Sequence, residues 1–116
     1  MLSIPLTEME RAVLARYSQV YAQYGVPEVA DISLVRRIQE IGLRELFFES
    51  KARLSFEEGD LPMGDYSHVL LTNFPPGLHV ELSVADFKLE KLIFLAIESE
   101  EHFWFGDEGE FSIVAD

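Results

Sequence analysis

Three histidines, His68, His79 and His102, are the side chains of this chain best suited to ligate a metal or to carry a proton near neutrality, and carboxylates stand near each of them. Their spacing makes no ligand set. There is no His-Glu-x-x-His and no His-x-His, and the stretch "GDEGE" lacks the alternating aspartates of a calcium loop. Glu57 and Glu58 could share acid and base roles only if burial raised the pKa of one of them, and both adjoin a Gly-Asp turn, which predicts exposure. No Gly-x-Ser-x-Gly elbow presents a nucleophile, and Gly59, Gly64, Gly106 and Gly109 form no phosphate-cradling loop. With zero cysteines, thiolate metal sites, disulfides and cysteine nucleophiles drop out together, and a reducing cytoplasm is the expected compartment. The expectation is a protein without enzymatic turnover, metal or cofactor.

What the sequence concentrates instead is aromatic surface and negative charge. "SEEHFWFGDEGEF", residues 99–111, holds four aromatic rings and five carboxylates with no lysine or arginine. Read as a hairpin, with strands over 102–105 and 110–115 and "GDEG" as its loop, alternation places Phe103 and Phe105 on one side with Phe111 and Ile113. Those are assigned to the core, and His102 and Trp104 point the other way. An indole there, ringed by Glu98, Glu100, Glu101, Asp107, Glu108 and Glu110, has the composition of an interface anchor with an acidic rim. The competing reading is that a helix covers this side too and Trp104 is core.

The charge of the whole chain supports a partner of opposite sign. Net charge is −12, which disfavours nucleic acid and anionic membrane, because both demand clustered Lys or Arg. Residues 1–53 carry seven acids and seven Lys or Arg, whereas 54–116 carry fourteen acids and only Lys88 and Lys91. The second half therefore holds the entire excess, and its self-repulsion is relieved by salt or by a cationic molecule.

The elements that must position this cluster follow from period and punctuation. The 116 residues, 48% hydrophobic and 12% aromatic, suit a single domain over 1–116 with one core. Thr7 and Glu10 form a capping box, and Met9, Val13, Tyr17, Val20 and Tyr24 recur at helical spacing before Gly25, so a helix is predicted over 7–24. "DISLVRRIQEIG" offers a cap at Asp31 or Ser33, an apolar face of Leu34, Val35, Ile38 and Ile41, and a terminator in Gly42; a second helix is predicted over 32–41, with Arg36 and Arg37 on its wet side. From Leu43 the period becomes two, predicting strands over 43–49, 53–57, 66–72, 78–84, 89–98, 102–105 and 110–115. The fold class is α+β: two N-terminal helices packed on one face of an antiparallel sheet of about five to seven strands, the other face partly open. Val13, Tyr17, Val20, Ile38, Leu82, Leu92, Phe94 and Phe103 are the expected core. The longest apolar run, 92–97, is six residues, far short of a membrane span, and the first residues have no export signal.

The run "LSVADFKLEKLIF" resembles the paired-strand ending of many small bacterial domains, which read roughly V-x-D-G-x-L-x-x-L-E-I: Asp86, Leu89 and Leu92 match, while Phe87 replaces the usual turn glycine and Ile93 the usual glutamate. That resemblance implies an antiparallel sheet following helices, and a bacterial source. In size and acidity the chain is also similar to the immunity proteins of bacterial toxin systems. The function expected is a cytoplasmic protein-binding domain, in its most concrete form an immunity protein that neutralises a basic, nuclease-like toxin by occluding its cationic cleft. Its contact residues would be Trp104, Asp107, Glu108, Glu110, Glu98, Glu100 and Glu101. The alternatives are a self-associating domain that pairs through an open face or edge strand, possible as a homodimer, and, third, a small-molecule enzyme.

Overall fold

A computed structural model describes residues 4–63 and 66–115; Gly64, named above among the glycines, lies outside them. The chain is α+β, with one α-helix, α1 (Glu8–Val20), ahead of an antiparallel sheet of seven strands. These are β1 (Ser33–Glu40), β2 (Leu43–Glu49), β3 (Gly59–Leu61), β4 (Tyr66–Leu71), β5 (Phe74–Ala85), β6 (Lys88–Ala96) and β7 (Phe111–Ala115). The strand order is β1-β2-β6-β5-β4-β7, with β3 paired to β5 beyond the end of β4.

The capping box forms as expected: the Thr7 N–H donates to Glu10 Oε1 at 2.9 Å and the Glu10 N–H to Thr7 Oγ1 at 3.2 Å. The α-helix stops at Val20, a short 3₁₀ turn over Ala22–Tyr24 follows, and Gly25 closes it with a φ of 94°. Met9, Val13, Leu14 and Tyr17 are buried, and Val20 is half-buried. Glu10 reaches β1 and β2 while the Tyr17 hydroxyl donates to Leu61 O at 2.9 Å and Val80 O at 3.4 Å, so the helix crosses the strands diagonally.

The second predicted helix is a strand. Residues 33–40 pair with β2 from Ser33↔Glu49 to Glu40↔Leu43, leaving Ile41–Gly42 as a two-residue turn. Gly42 has a φ of 76°, the left-handed conformation that both a helix stop and a hairpin turn use, so the glycine punctuated either structure equally well. What decides is the ladder to β2, the adjacent strand, and the extended backbone also suits β-branched Ile38 within that ladder and Val35 at its bulge. The described residues thus hold one α-helix where two were expected, and Ile38, expected in the core, is half-buried on the other face.

Strands 43–49 and 78–84 fall within β2 and β5, and Leu78, Val80, Leu82 and Val84 turn inward as the alternation requires, with His79 and Glu81 half-buried on the opposite side. Leu92 and Phe94 join them beneath the helix. No strand forms over 53–57 or 102–105. The "NFPPG" turn shifts earlier, to Thr72–Asn73, and its prolines enter β5. They are tolerated because Pro75, Pro76 and Gly77 lie opposite the single residue Leu70, between the pairs Leu71↔Phe74 and Val69↔Leu78, a bulge in which ladder donors are dispensable.

Between β5 and β6 the turn is Asp86–Phe87, with φ of 53° and 61°. Both residues sit in the left-handed region that such two-residue hairpins demand and that glycine normally supplies. Phe87 is held there by the segment before β3: Leu54 N–H donates to Phe87 O at 2.8 Å, Phe87 N–H donates to Glu57 O at 2.9 Å, and the Arg53 guanidinium lies 4.0 Å from the ring centroid.

Candidate protein-binding surface

The connection from β6 to β7, residues 97–110, cannot be short, because β5 and β4 lie between those strands. It runs along the end of the sheet and is tied to the hairpin tips there. The Ala96 N–H donates to Gly42 O at 2.8 Å, the Gly42 N–H to Trp104 O at 2.8 Å, and the Thr72 N–H to Glu110 O at 2.9 Å.

At its centre Trp104 is 1% exposed. Its indole N–H donates to Asp107 O at 2.8 Å, and the Arg44 guanidinium lies 5.1 Å from the ring centroid. Arg44 faces inward because it shares the phase of Leu46 and Phe48 along β2. Its nitrogens are all engaged: Nε donates to Gln39 Oε1 at 2.7 Å, Nη2 to Gly106 O at 2.9 Å, and Nη1 to Glu10 Oε2 at 3.0 Å and to the Glu108 carboxylate. Glu10, wholly buried, also receives a two-pronged grip from Arg37, whose Nε donates to Oε2 at 2.9 Å. That hydrogen bond is the main cause holding the Arg37 guanidinium above its ordinary pKa. Two guanidinium and two carboxylate groups thus neutralise one another, and a capping residue of α1 becomes the anchor of a loop nearly a hundred residues away. Gly106 completes the anchorage with a φ of 103°; a Cβ there would stand 2.9 Å from the Gln39 side chain.

This arrangement corrects the predicted hairpin. Residues 102–105 do not pair with β7, which pairs with β4 instead. The predicted grouping does not hold, since 102–105 is not a strand: Trp104 alone turns in, Phe103 and Phe105 turn out, 64% and 63% exposed, His102 is exposed with them, and Phe111 and Ile113 remain packed against the core. Phe103 is therefore not core, and Trp104 has almost no surface to offer a partner in this conformation. Of the expected acidic contacts, Glu98, Glu100, Glu101, Asp107 and Glu110 are exposed, whereas Glu108 is half-buried and committed to Arg44. The residues that sequence reasoning missed are Phe103 and Phe105 as exposed groups, and Glu10, Arg37 and Arg44 as their support. One signal was present: in "LRELFFE" the arginine occupies an inward position of an alternating strand, the mark of a buried ion pair or an aromatic partner.

Beside Phe103 opens a groove of about 520 Å³, walled by Ile41, Phe74, Ala96, Ile97 and Phe103, with Glu98 and Glu100 among its lining residues. Ile41 is 68% exposed, so the hairpin tip and the loop together present apolar surface at one end of the sheet. A larger hollow of about 820 Å³ at the opposite strand ends mixes Asp31 and Glu49 with Lys51 and Lys88.

The other chemistry-bearing residues are scattered. His68 and His79 are directly opposed on β4 and β5 with ring centroids 6.0 Å apart, and His79 Nε2 lies 3.1 Å from Glu81 Oε1. His102 is exposed at the groove, its ring edge-on to Phe74 and its Nδ1 3.4 Å from Ser99 Oγ. Among the described residues no three His, Cys, Asp or Glu side chains are grouped to hold a metal ion. Glu57 and Glu58 are exposed. No helix of the described residues is long and apolar enough to cross a membrane.

No protein-family model matches the chain, and no curated protein or solved structure matches it significantly.

Proposed function

We propose that this chain is a protein-binding domain whose contact surface is the 97–110 loop with the neighbouring Ile41 hairpin tip, and that its partner is a basic protein. The observation that carries this reading is the pair Phe103 and Phe105, exposed at 64% and 63% on a backbone that Trp104 and Arg44 hold from beneath. Large rings left in water on an anchored loop need little backbone ordering on binding, which is how aromatic anchors contribute most. Glu98 and Glu100 line the groove beside Phe103, while Glu101, Asp107 and Glu110 are exposed in the same loop, and no Lys or Arg follows Lys91 in the chain. Such a rim steers a cationic surface into register while the rings supply the apolar contact.

In its most concrete form the partner is a nuclease-like bacterial toxin, whose phosphate-binding cleft is cationic, and the chain is the immunity protein that occludes it. What supports this form is the chain's size, its charge of −12 and the pairing of acid with exposed aromatic surface. The test is binding kinetics against the product of the gene immediately upstream, at low and high salt. Fast, salt-sensitive association, with faster dissociation of the complex in Phe103→Ser/Phe105→Ser, supports the reading; no complex with that product or with any basic protein ends it.

A second reading, self-association, is favoured by the sheet itself. β1 and β7 end the strand order, and the face opposite α1 presents Leu70 and Leu95 at 42% and 50% exposure. A monomer across concentrations in sedimentation would dismiss it.

A further inference from the structure

The groove beside Phe103 has a composition that selects one kind of occupant. Its walls are apolar, from Ile41 on the hairpin tip, Phe74 on β5 and Phe103 on the loop, and its polar lining includes the exposed carboxylates of Glu98 and Glu100. No lysine or arginine is among the described residues that line it. The nearby guanidinium of Arg44 is already engaged by Glu10, Glu108, Gln39 and Gly106, so it is not available to neutralise the rim. An apolar guest would fill the walls and leave two carboxylates facing it; an anionic guest would be repelled; a guest with an apolar stem and a cationic head satisfies both. Arginine fits best, since its planar guanidinium stacks on aromatic rings and can be gripped by a carboxylate at the same time. A volume of about 520 Å³ exceeds one side chain, which leaves room for an apolar neighbour in the same segment.

We propose that this groove is the receptor for an arginine side chain of the partner, carried beside an apolar residue, and that it provides the specificity of the surface while Phe103 and Phe105 provide adhesion. The inference rests on the reading of this end of the sheet as the binding surface and adds the chemistry of what is recognised there.

The experiment uses the full chain, isotope-labelled, titrated with the capped dipeptide acetyl-Leu-Arg-amide and with its citrulline counterpart, which keeps the shape of arginine without the charge. Resonances of the Trp104 indole N–H and of the Gly42 and Ile97 amides report on the groove. The arginine peptide is expected to shift all three and to bind roughly three- to tenfold tighter than the citrulline peptide. In Glu98→Gln/Glu100→Gln, whose substitutions are at exposed positions, that preference should vanish while citrulline binding is unchanged. Equal binding of the two peptides, or shifts confined to other parts of the chain, overturns the proposal. The two readings fail separately. A partner complex that depends on Phe103 and Phe105, with a groove silent to arginine, removes only this inference. A groove that selects arginine, in a chain that captures no basic protein, removes only the proposed function.

Discussion

The Arg44 guanidinium lies 5.1 Å from the centroid of the Trp104 indole, and the same guanidinium holds Glu10 of the helix cap and Glu108 of the loop. One side chain on the second strand thereby joins the helix, the sheet and the loop that carries the exposed rings. Trp104→Ala should therefore behave as a core truncation, costing about 3–5 kcal/mol in denaturant unfolding. An unfolding midpoint equal to that of the unsubstituted protein would show that the indole is not the keystone described here.

Glu10 stands wholly buried between Arg37 and Arg44. Removing its charge strands guanidinium groups beneath the loop, so Glu10→Gln should destabilise by about 3–5 kcal/mol, well beyond the ~1 kcal/mol of a lost cap. Chemical denaturation of the single and Glu10→Gln/Arg44→Met variants should show strong non-additivity, the pair costing less than the sum.

Alkaline pH should unfold the protein through Tyr17. Burial, its largest cause, raises this phenol well above the ordinary tyrosine range, with Tyr21 adding to the effect, and Tyr21 is itself raised, mainly by burial. A phenol that keeps its proton when folded but loses it when unfolded favours the unfolded chain as pH climbs. Stability is thus full below the ordinary tyrosine pKa of about 10 and falls above it, by about 1.4 kcal/mol per pH unit from Tyr17 alone. Tyr17→Phe should flatten that fall while lowering stability near neutrality by about 1 kcal/mol, through loss of its hydroxyl's bonds to Leu61 O and Val80 O. Thermal melts between neutrality and strong alkali give both numbers.

Binding variants should separate by kinetic phase. Phe103→Ser and Phe105→Ser should leave the fold at least as stable and raise the dissociation rate from a basic partner, each ring contributing about 2 kcal/mol if it sits at the interface centre. Charge reversal at Glu100 and Glu110 should slow association and reduce its salt dependence. Glu108→Lys must differ from both, because Glu108 holds Arg44; it should lower the unfolding midpoint as well.

Phe87 occupies a turn position with a φ of 61° while Arg53 stacks 4.0 Å from its ring centroid. Phe87→Ala keeps the strained backbone and loses the ring, so it should cost about 1–2 kcal/mol; Phe87→Gly loses the same ring but relieves the backbone, and should recover roughly half of that. Glycine less stable than alanine would show that the turn is unstrained.

The division between sequence and tertiary structure is clearest at particular residues. The Thr7–Glu10 box, the alternation of Leu78, Val80, Leu82 and Val84, and the acidic aromatic stretch around Trp104 were all legible, because caps and side-chain periods arise between residues a few positions apart. Residues 33–40 were not, since Leu34, Val35, Ile38 and Ile41 satisfy a helical face while the hydrogen bonds that make them a strand come from β2, and Gly42 serves either outcome. The loop shows the same limit. Local sequence gathered three aromatic rings and their carboxylates into one stretch, but the strand alternation expected to sort them does not form. Which side faces the core depended on Arg44 and Glu10, brought under the loop from distant positions, and only the assembled sheet placed a buried guanidinium where an indole could cover it. Alternation is a property of the backbone, whereas its sense belongs to whatever the fold puts on either side.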